Sequence, residues 1–231
     1  MFNHFQNTIT GWPGGKPGAD DSTRPERKSP KSKRVIIFSP HPDDDVVSMG
    51  GTFDRLVSQG HEVHIAYQVK GNIAVSDHDA LKFIEVSKDL FKNESKVPVS
   101  ELIKELKNNK PDKIDSQAVR NLKGFIRKSE AIAATRYIGI PDSNTHFLNL
   151  PFYDTGRIKK NPPTKKDVLI TASLINKIKP HQIFAAGDLE DPHGTHKVCL
   201  DIILEALETL KGEKFMKDCW LWLYRGAWLD W

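Results

Sequence analysis

Arg34–Ser39 (RVIIFS) runs directly into Pro40-His41-Pro42-Asp43-Asp44-Asp45, and apolar residues at helical spacing follow. This order confines the chain to few folds. A short β-branched and aromatic run bounded by turn residues reads as a buried strand. From Asp45 to Gln59, the residues Val46, Val47, Met49, Phe53, Leu56 and Val57 recur at the period of a helix, and Gly60 stops it. Residues 62–69 (EVHIAYQV) form a second strand pattern. Strand, helix and strand in such close succession make a βαβ unit, which is parallel and right-handed. Further helices are expected near 79–93, 99–109, 116–135, 165–178 and 194–211. Strands are expected at 137–140, 147–150, 181–186 and 218–225. The alternation predicts an α/β fold, a Rossmann-like layered sandwich with a mostly parallel sheet and helices on both faces.

The net charge of +4 suggests nucleic acid, but its distribution argues against it. Residues 1–34 hold seven Lys/Arg and three acidic residues, which is the whole excess, and the other 197 residues are balanced. A neutral body lacks the electrostatic footprint of a nucleic-acid binder. Residues 11–34 are rich in Pro and Gly with almost nothing apolar after Trp12, so they cannot offset their ordering entropy. Residues 1–32 are therefore expected to be a linker or the tail of a preceding domain, with the folded domain at 33–231. Mean hydropathy is −0.48 and no apolar run is long enough to span a bilayer, so no membrane partner is expected. The first ten residues lack a basic start and an apolar stretch, and two cysteines are too few for a disulfide scaffold or a cysteine zinc site. The default expectation is a cytoplasmic protein.

His41 and the three aspartates stand at the carboxyl end of the first strand, where open parallel sheets bind ligands. So many carboxylates in a proline-stiffened turn repel one another unless a cation offsets the charge. His41 and Asp44 are three residues apart and share one side of a turn. An imidazole nitrogen with a carboxylate oxygen suits Zn²⁺ or another divalent first-row ion. Asp43 then points elsewhere and is free to act as a base. The simpler alternative is that the aspartates cap the following helix. Gly50-Gly51 inside that helix costs about 1 kcal/mol per glycine relative to Ala, and close backbone packing would compensate.

Asp188-Leu189-Glu190-Asp191-Pro192-His193-Gly194-Thr195-His196 repeats the logic after another strand. His193 and His196 are three apart, and either could complete a metal site with His41 and Asp44 while the other faces substrate. Three protein ligands with an open position for water is the catalytic zinc pattern. Asp188, Glu190 and Asp191 are candidates to orient the imidazoles.

With both motifs in hand, the chain resembles the PIG-L/LmbE-like family of metal-dependent N-acetylglucosaminyl deacetylases over roughly residues 33–211. The family opens with a strand, His-Pro-Asp-Asp-Glu and a Gly-Gly-containing helix, which here reads VIIFSPHPDDDVVSMGG. Arg127 and Glu130 in IRKSEAIAATRYIGI, Asp154 in LNLPFYDTG, and His193-Gly-Thr-His196 match its later motifs. The resemblance implies metal ligands His41, Asp44 and His196. It implies that Asp43 is the general base and that His193 stabilises the oxyanion or protonates the leaving amine. It further implies a zinc-type divalent cofactor and a small amino-sugar substrate carrying an N-acetyl group. Asp45 stands where the family has Glu, and Thr195 where it has Asp. With its final WLYRGAW, the chain is similar to the domain that follows a glucosamine-6-phosphate deaminase-like domain in some bacterial proteins. That implies a covalently linked deaminase-like domain ahead of it, and homo-oligomerisation is left open.

Two rival readings have distinct signatures. A non-catalytic sugar-binding or regulatory module with a decayed site is favoured by Thr195 and opposed by the intact His41/Asp43/Asp44/His196 set. A nucleotide-binding domain would need a Gly-x-Gly-x-x-Gly turn, and SPHPDDDV instead offers carboxylates that repel a pyrophosphate. Arg127, Arg120 and Lys70 could hold a sugar phosphate, although solvated helix or loop charges are the plainer expectation. Trp220, Trp222 and Tyr224 alternate along one strand face and are expected to pack in the core, with sugar stacking as the sharper alternative.

Overall fold

The computed structural model describes residues 32–90, 99–109, 113–157, 159–188 and 194–226. Strands β1 (Arg34–Ser39), β2 (Glu62–Tyr67), β3 (Thr145–Phe147), β4 (Gln182–Ala186) and β5 (Trp220–Tyr224) form one sheet in the order β3-β2-β1-β4-β5. All four neighbouring pairs are parallel, and β1 lies in the middle with Ile37 opposite both Ile65 and Phe184. Helices α1 (Asp44–Ser58), α2 (Asp77–Leu90), α3 (Val99–Lys107), α4 (Gln117–Tyr137), α5 (Lys165–Ile178) and α6 (Thr195–Thr209) join them, with short 3-10 turns between elements. The expected α/β sandwich is the observed one.

Alternation along the strands builds two cores. Ile36, Phe38, Ala66, Ile183 and Ala185 face α5 and α6 and meet Ile175, Cys199, Ile202 and Ile203. Val35, Ile37, Val63, Ile65 and Tyr67 face the opposite way and meet Phe53 and Leu56 of α1 and Ala131 of α4. Such two-sided burial is what a central parallel sheet requires. A third core, with Ala80, Ile84, Leu102, Leu106, Val119 and Ile126, joins α2, α3 and the first half of α4 away from the sheet.

Local chemistry sets the boundaries. Ser116 caps α4 by accepting the Val119 N–H. Thr164 and Asp167 form a capping box at α5, and the other Asp167 oxygen accepts the Phe152 N–H at 3.0 Å. That bond fixes the Pro151–Tyr153 turn, which carries Tyr153 toward the ends of β1 and β4.

Three expectations need correction. Residues 137–140 are not a strand: α4 continues to Tyr137, and Gly139 at φ 88° turns the chain so that the Ile140 N–H bonds Thr135 O. The helical ladder outcompetes a short β-branched run. The strand expected at 147–150 is β3 at Thr145–Phe147, although Leu148 and Leu150 still donate to Tyr67 and Gln68. No close backbone packing explains Gly50-Gly51: a Cβ on Gly51 would meet nothing within 4 Å, and one on Gly50 only Val46 at 4.0 Å. The local irregularity of α1 is instead a kink at Met49, with φ −142° and ψ 23°. The expected tail before residue 32 lies outside the described residues. Ser32 is described, and its hydroxyl donates to Gly60 O. Among the described residues no helix is long and apolar enough to cross a membrane.

Candidate metal centre

The strand β1 ends at buried Ser39, and Pro40 and Pro42 stiffen the turn into α1 around His41. Asp43 is the N-cap residue of α1, yet its side chain makes no capping bond, and Asp44 and Asp45 lie in the first turn of the helix. Each has another partner. Asp44 Oδ2 accepts the His41 backbone N–H at 2.8 Å, which locks the turn. Asp45 is wholly buried and accepts the Tyr67 hydroxyl at 2.9 Å and the Ser39 hydroxyl at 3.2 Å. Burial pushes its carboxyl up to about 6, against the pull of these bonds. The shorter Asp45 thus points into the core beneath the turn.

His196, in the first turn of α6 on the neighbouring strand connection, reaches across to this turn. His41 Nδ1 and His196 Nε2 are 3.2 Å apart, and each lies 3.3 Å from Asp44 Oδ2. Three electron-pair donors therefore converge in a nearly equilateral triangle. Metal bonds of about 2.0–2.1 Å in a tetrahedral site separate ligand atoms by about 3.3–3.4 Å, so the residues fit a divalent ion. Burial alone would raise the Asp44 carboxyl, but hydrogen bonds and charge from His196 and His41 outweigh it and hold it well below the usual range. The Asp44 carboxylate is ionised at neutral pH.

The orientation of His196 comes from behind. Its Nδ1 lies 2.9 Å from Oδ2 of Asp188, whose side chain is fully buried just past β4. With Nδ1–H donating to Asp188, the Nε2 lone pair faces the triangle. Asp188 is itself held by the Gly226 N–H at 2.6 Å. A side chain at residue 226 would collide with this carboxylate, so the position after β5 requires glycine.

Asp43 lies outside the triangle, and one of its oxygens is engaged. Its Oδ1 lies 2.9 Å from Arg127 Nη2, and Arg127 is only 14% exposed rather than a solvated helix charge. The approach of the two segments depends on Gly71 at φ 62°, where a Cβ would stand 2.9 Å from Pro42 and 3.3 Å from Arg127 Nε. Asp154 lies 3.3 Å from Lys70 and 3.5 Å from Arg120, so these cations are also paired with a carboxylate. The Tyr153 ring stands edge-on to His41 with centroids 6.0 Å apart, and Lys160 lies over its other side at 3.7 Å. Burial brings Lys160 down to about 8.

The structure thus brings together His41, Asp44 and His196, and places Asp43 and Arg127 beside them. Thr195 is buried at the start of α6. Expected residues His193, Glu190 and Asp191 lie outside the described residues, and Asp188 is the described acid that orients an imidazole. The tryptophan expectation holds only in part. Tyr224 is buried and donates to Phe38 O, whereas Trp220 is 39% exposed and stacks on Trp222. Trp228 and Trp231 lie outside the described residues. Sequence reasoning missed the Asp43–Arg127 pair and the Gly226 support. The signal for the second was the glycine in WLYRGAW.

Residues 36–207 match the family described as PIG-L, GlcNAc-PI de-N-acetylase. The whole chain is 54% identical to part of a glucosamine-6-phosphate deaminase-like protein of Bacteroides thetaiotaomicron, of which it spans 36%. Among solved structures, a conserved protein of Thermus thermophilus matches with a TM-score of 0.50 at 16% identity, covering 84% of this chain and 66% of that one. The antimicrobial A40926 pseudoaglycone deacetylase matches with a TM-score of 0.48 at 18% identity, covering 85% and 64%.

Proposed function

Because the chain belongs to the PIG-L family, GlcNAc-PI de-N-acetylases, we propose that it is a metal-dependent amide hydrolase that removes the acetyl group from an N-acetylated amino sugar. The observation that carries this reading is the triangle of His41 Nδ1, His196 Nε2 and Asp44 Oδ2. When bound there, a divalent ion, zinc by the character of its ligands, supplies Lewis acidity toward a water and the acetyl carbonyl.

The chain's own groups do the rest. Arg127 engages Asp43 Oδ1, which orients the carboxylate and leaves Oδ2 to take the proton of the attacking water. Asp44 faces both imidazoles, and Asp188 fixes the ring of His196 from behind. His193 is the proposed donor to the developing oxyanion or to the leaving amine. The Tyr153 ring packs edge-on against His41. The product is a primary amine on the sugar. In a longer protein resembling the Bacteroides relative, a deaminase-like domain would be suited to consume such an amine.

The test combines elemental analysis of the purified chain with acetate release from N-acetylglucosamine and its 6-phosphate. One divalent ion per chain with acetate release is expected. A loaded protein that hydrolyses neither compound would favour the binding-module reading, which Thr195 supports. A chain that takes up no divalent ion would overturn the proposal.

A further inference from the structure

A recess opens beside the turn that carries His41 and Asp44. It encloses about 190 Å³, and Pro42, between His41 and Asp43, forms part of its wall. Whole-ligand pockets run to about 300–1,000 Å³, so this one has room for part of a substrate that reaches the centre. Its lining holds Lys70 and Lys128, the amides of Asn121 and Asn149, the rings of Phe125 and Phe147, and no acidic residue.

The charge around it is unbalanced. Lys70 is 3.3 Å from Asp154, but that carboxylate also serves Arg120 at 3.5 Å. Lys128 has no carboxylate partner among the described residues, and its ammonium lies 4.9 Å from the centroid of the Phe147 ring. Phe125, one turn of α4 away from Lys128, is 65% exposed, a position that offers a flat face to an apolar ring surface. Asn149 stands at φ 48°, a left-handed conformation that places an amide at the rim at some backbone cost. The stem of Lys70 runs past Gly124, where a Cβ would touch it at 3.5 Å.

Cationic side chains, neutral amides and an aromatic face suit an anion attached to a sugar ring. We infer that this recess receives a phosphate-type substituent of the substrate, which makes the preferred substrate a phosphorylated N-acetylated amino sugar. The inference rests on the deacetylase reading for its reaction but not for its binding.

The experiment measures binding and hydrolysis separately in the intact chain. N-acetylglucosamine and N-acetylglucosamine 6-phosphate are titrated calorimetrically into the metal-loaded and metal-free protein, then compared as substrates. The phosphorylated sugar should bind about tenfold more tightly, with the preference present in the metal-free protein and weakened by salt. Lys128→Glu, a surface substitution, should bring the preference close to one, and the ratio of kcat/KM between the two sugars should fall in step. Equal binding of the two sugars, a preference that vanishes with the metal, or one untouched by Lys128→Glu would overturn the inference. Tight, Lys128-dependent binding without acetate release would uphold the recess and refute the hydrolase reading instead.

Discussion

Helix α4 carries one side of two charged clusters. In the first, Lys123 donates to Asp77 Oδ1 at 2.7 Å and Asp115 Oδ2 at 2.8 Å, while Asn109 donates to the remaining oxygens at 2.9 and 3.0 Å. Each carboxylate oxygen has its own donor, and the atom left over is a neutral one, the buried Asn109 Oδ1. The second cluster, one turn along at Arg127, is different. Asp43 has its guanidinium, but His41, Asp44 and His196 turn electron pairs toward a common point at separations of 3.2–3.3 Å. No placement of protons satisfies every edge of that triangle while Asp188 takes the His196 Nδ1 proton. A cluster whose charges are all paired holds α2 and α3 to α4, whereas three donor atoms turned on one point suit an external cation. Buried polar groups are ordinarily paired, and three donor atoms converging on one point are harder to pair than a lone leftover oxygen.

Substitutions in the two clusters should separate stability from chemistry. Asp44→Ala or His196→Ala is expected to empty the centre and reduce hydrolysis by about 10³-fold or more, with a melting shift of a few degrees in the metal-free protein. Elemental analysis and initial rates measure it, and full metal occupancy in either variant would break the contrast. Lys123→Met should do the reverse. It strands two carboxylates and is expected to cost about 3 kcal/mol of unfolding free energy, read from urea denaturation, while metal content is kept. Asp188→Asn sharpens the picture within the second cluster. The orienting carboxylate becomes neutral, and metal affinity should weaken about 10–100-fold in a chelator competition.

Acid gives the smallest effect. His61 is pushed down to about 4 by burial and by the charge of Lys33, and His146 to about 4 by burial and by neighbouring His64 and Lys177. Below the ordinary histidine pKa the unfolded chain binds protons that the folded chain refuses. Stability is therefore lost as pH falls from about 6.5 toward 4. Asp77 behaves differently: burial would raise it, but the bonds from Lys123 and Asn109 outweigh that and hold it below the usual range. The ring's contribution is present above the ordinary carboxylate pKa and is lost only below it. In melting curves of the metal-free protein, His61→Asn should flatten the loss between pH 6.5 and 4 by about 1 kcal/mol after solvent screening.

What could be read from the sequence follows the range of the interactions. The β1–α1–β2 unit and the pairing of His41 with Asp44 depend on neighbours a few residues apart, so periodicity and turn chemistry reveal them. Residues 137–140 misled because four residues cannot distinguish a strand from a helix end. His41 and His196 are 155 residues apart, and only the strand-end rule for parallel sheets brought their segments together on paper. The pairing of Asp43 with Arg127, and the choice of Asp188 to hold His196, depend on where α4 and β5 settle in space. No spacing rule encodes either.

The Gly226–Asp188 contact has a consequence for how the chain matures. Asp188 is held by a backbone N–H beyond β5, so the imidazole of His196 is fixed only after that edge strand has joined β4. Contacts so distant along the chain form late, because loop-closure entropy is lost before they repay it. An ion that binds only the finished arrangement then stabilises it by mass action. On the proposed metal reading, uptake of the ion would follow closure of that sheet edge, and the metal-free chain would keep its last contacts less firmly locked.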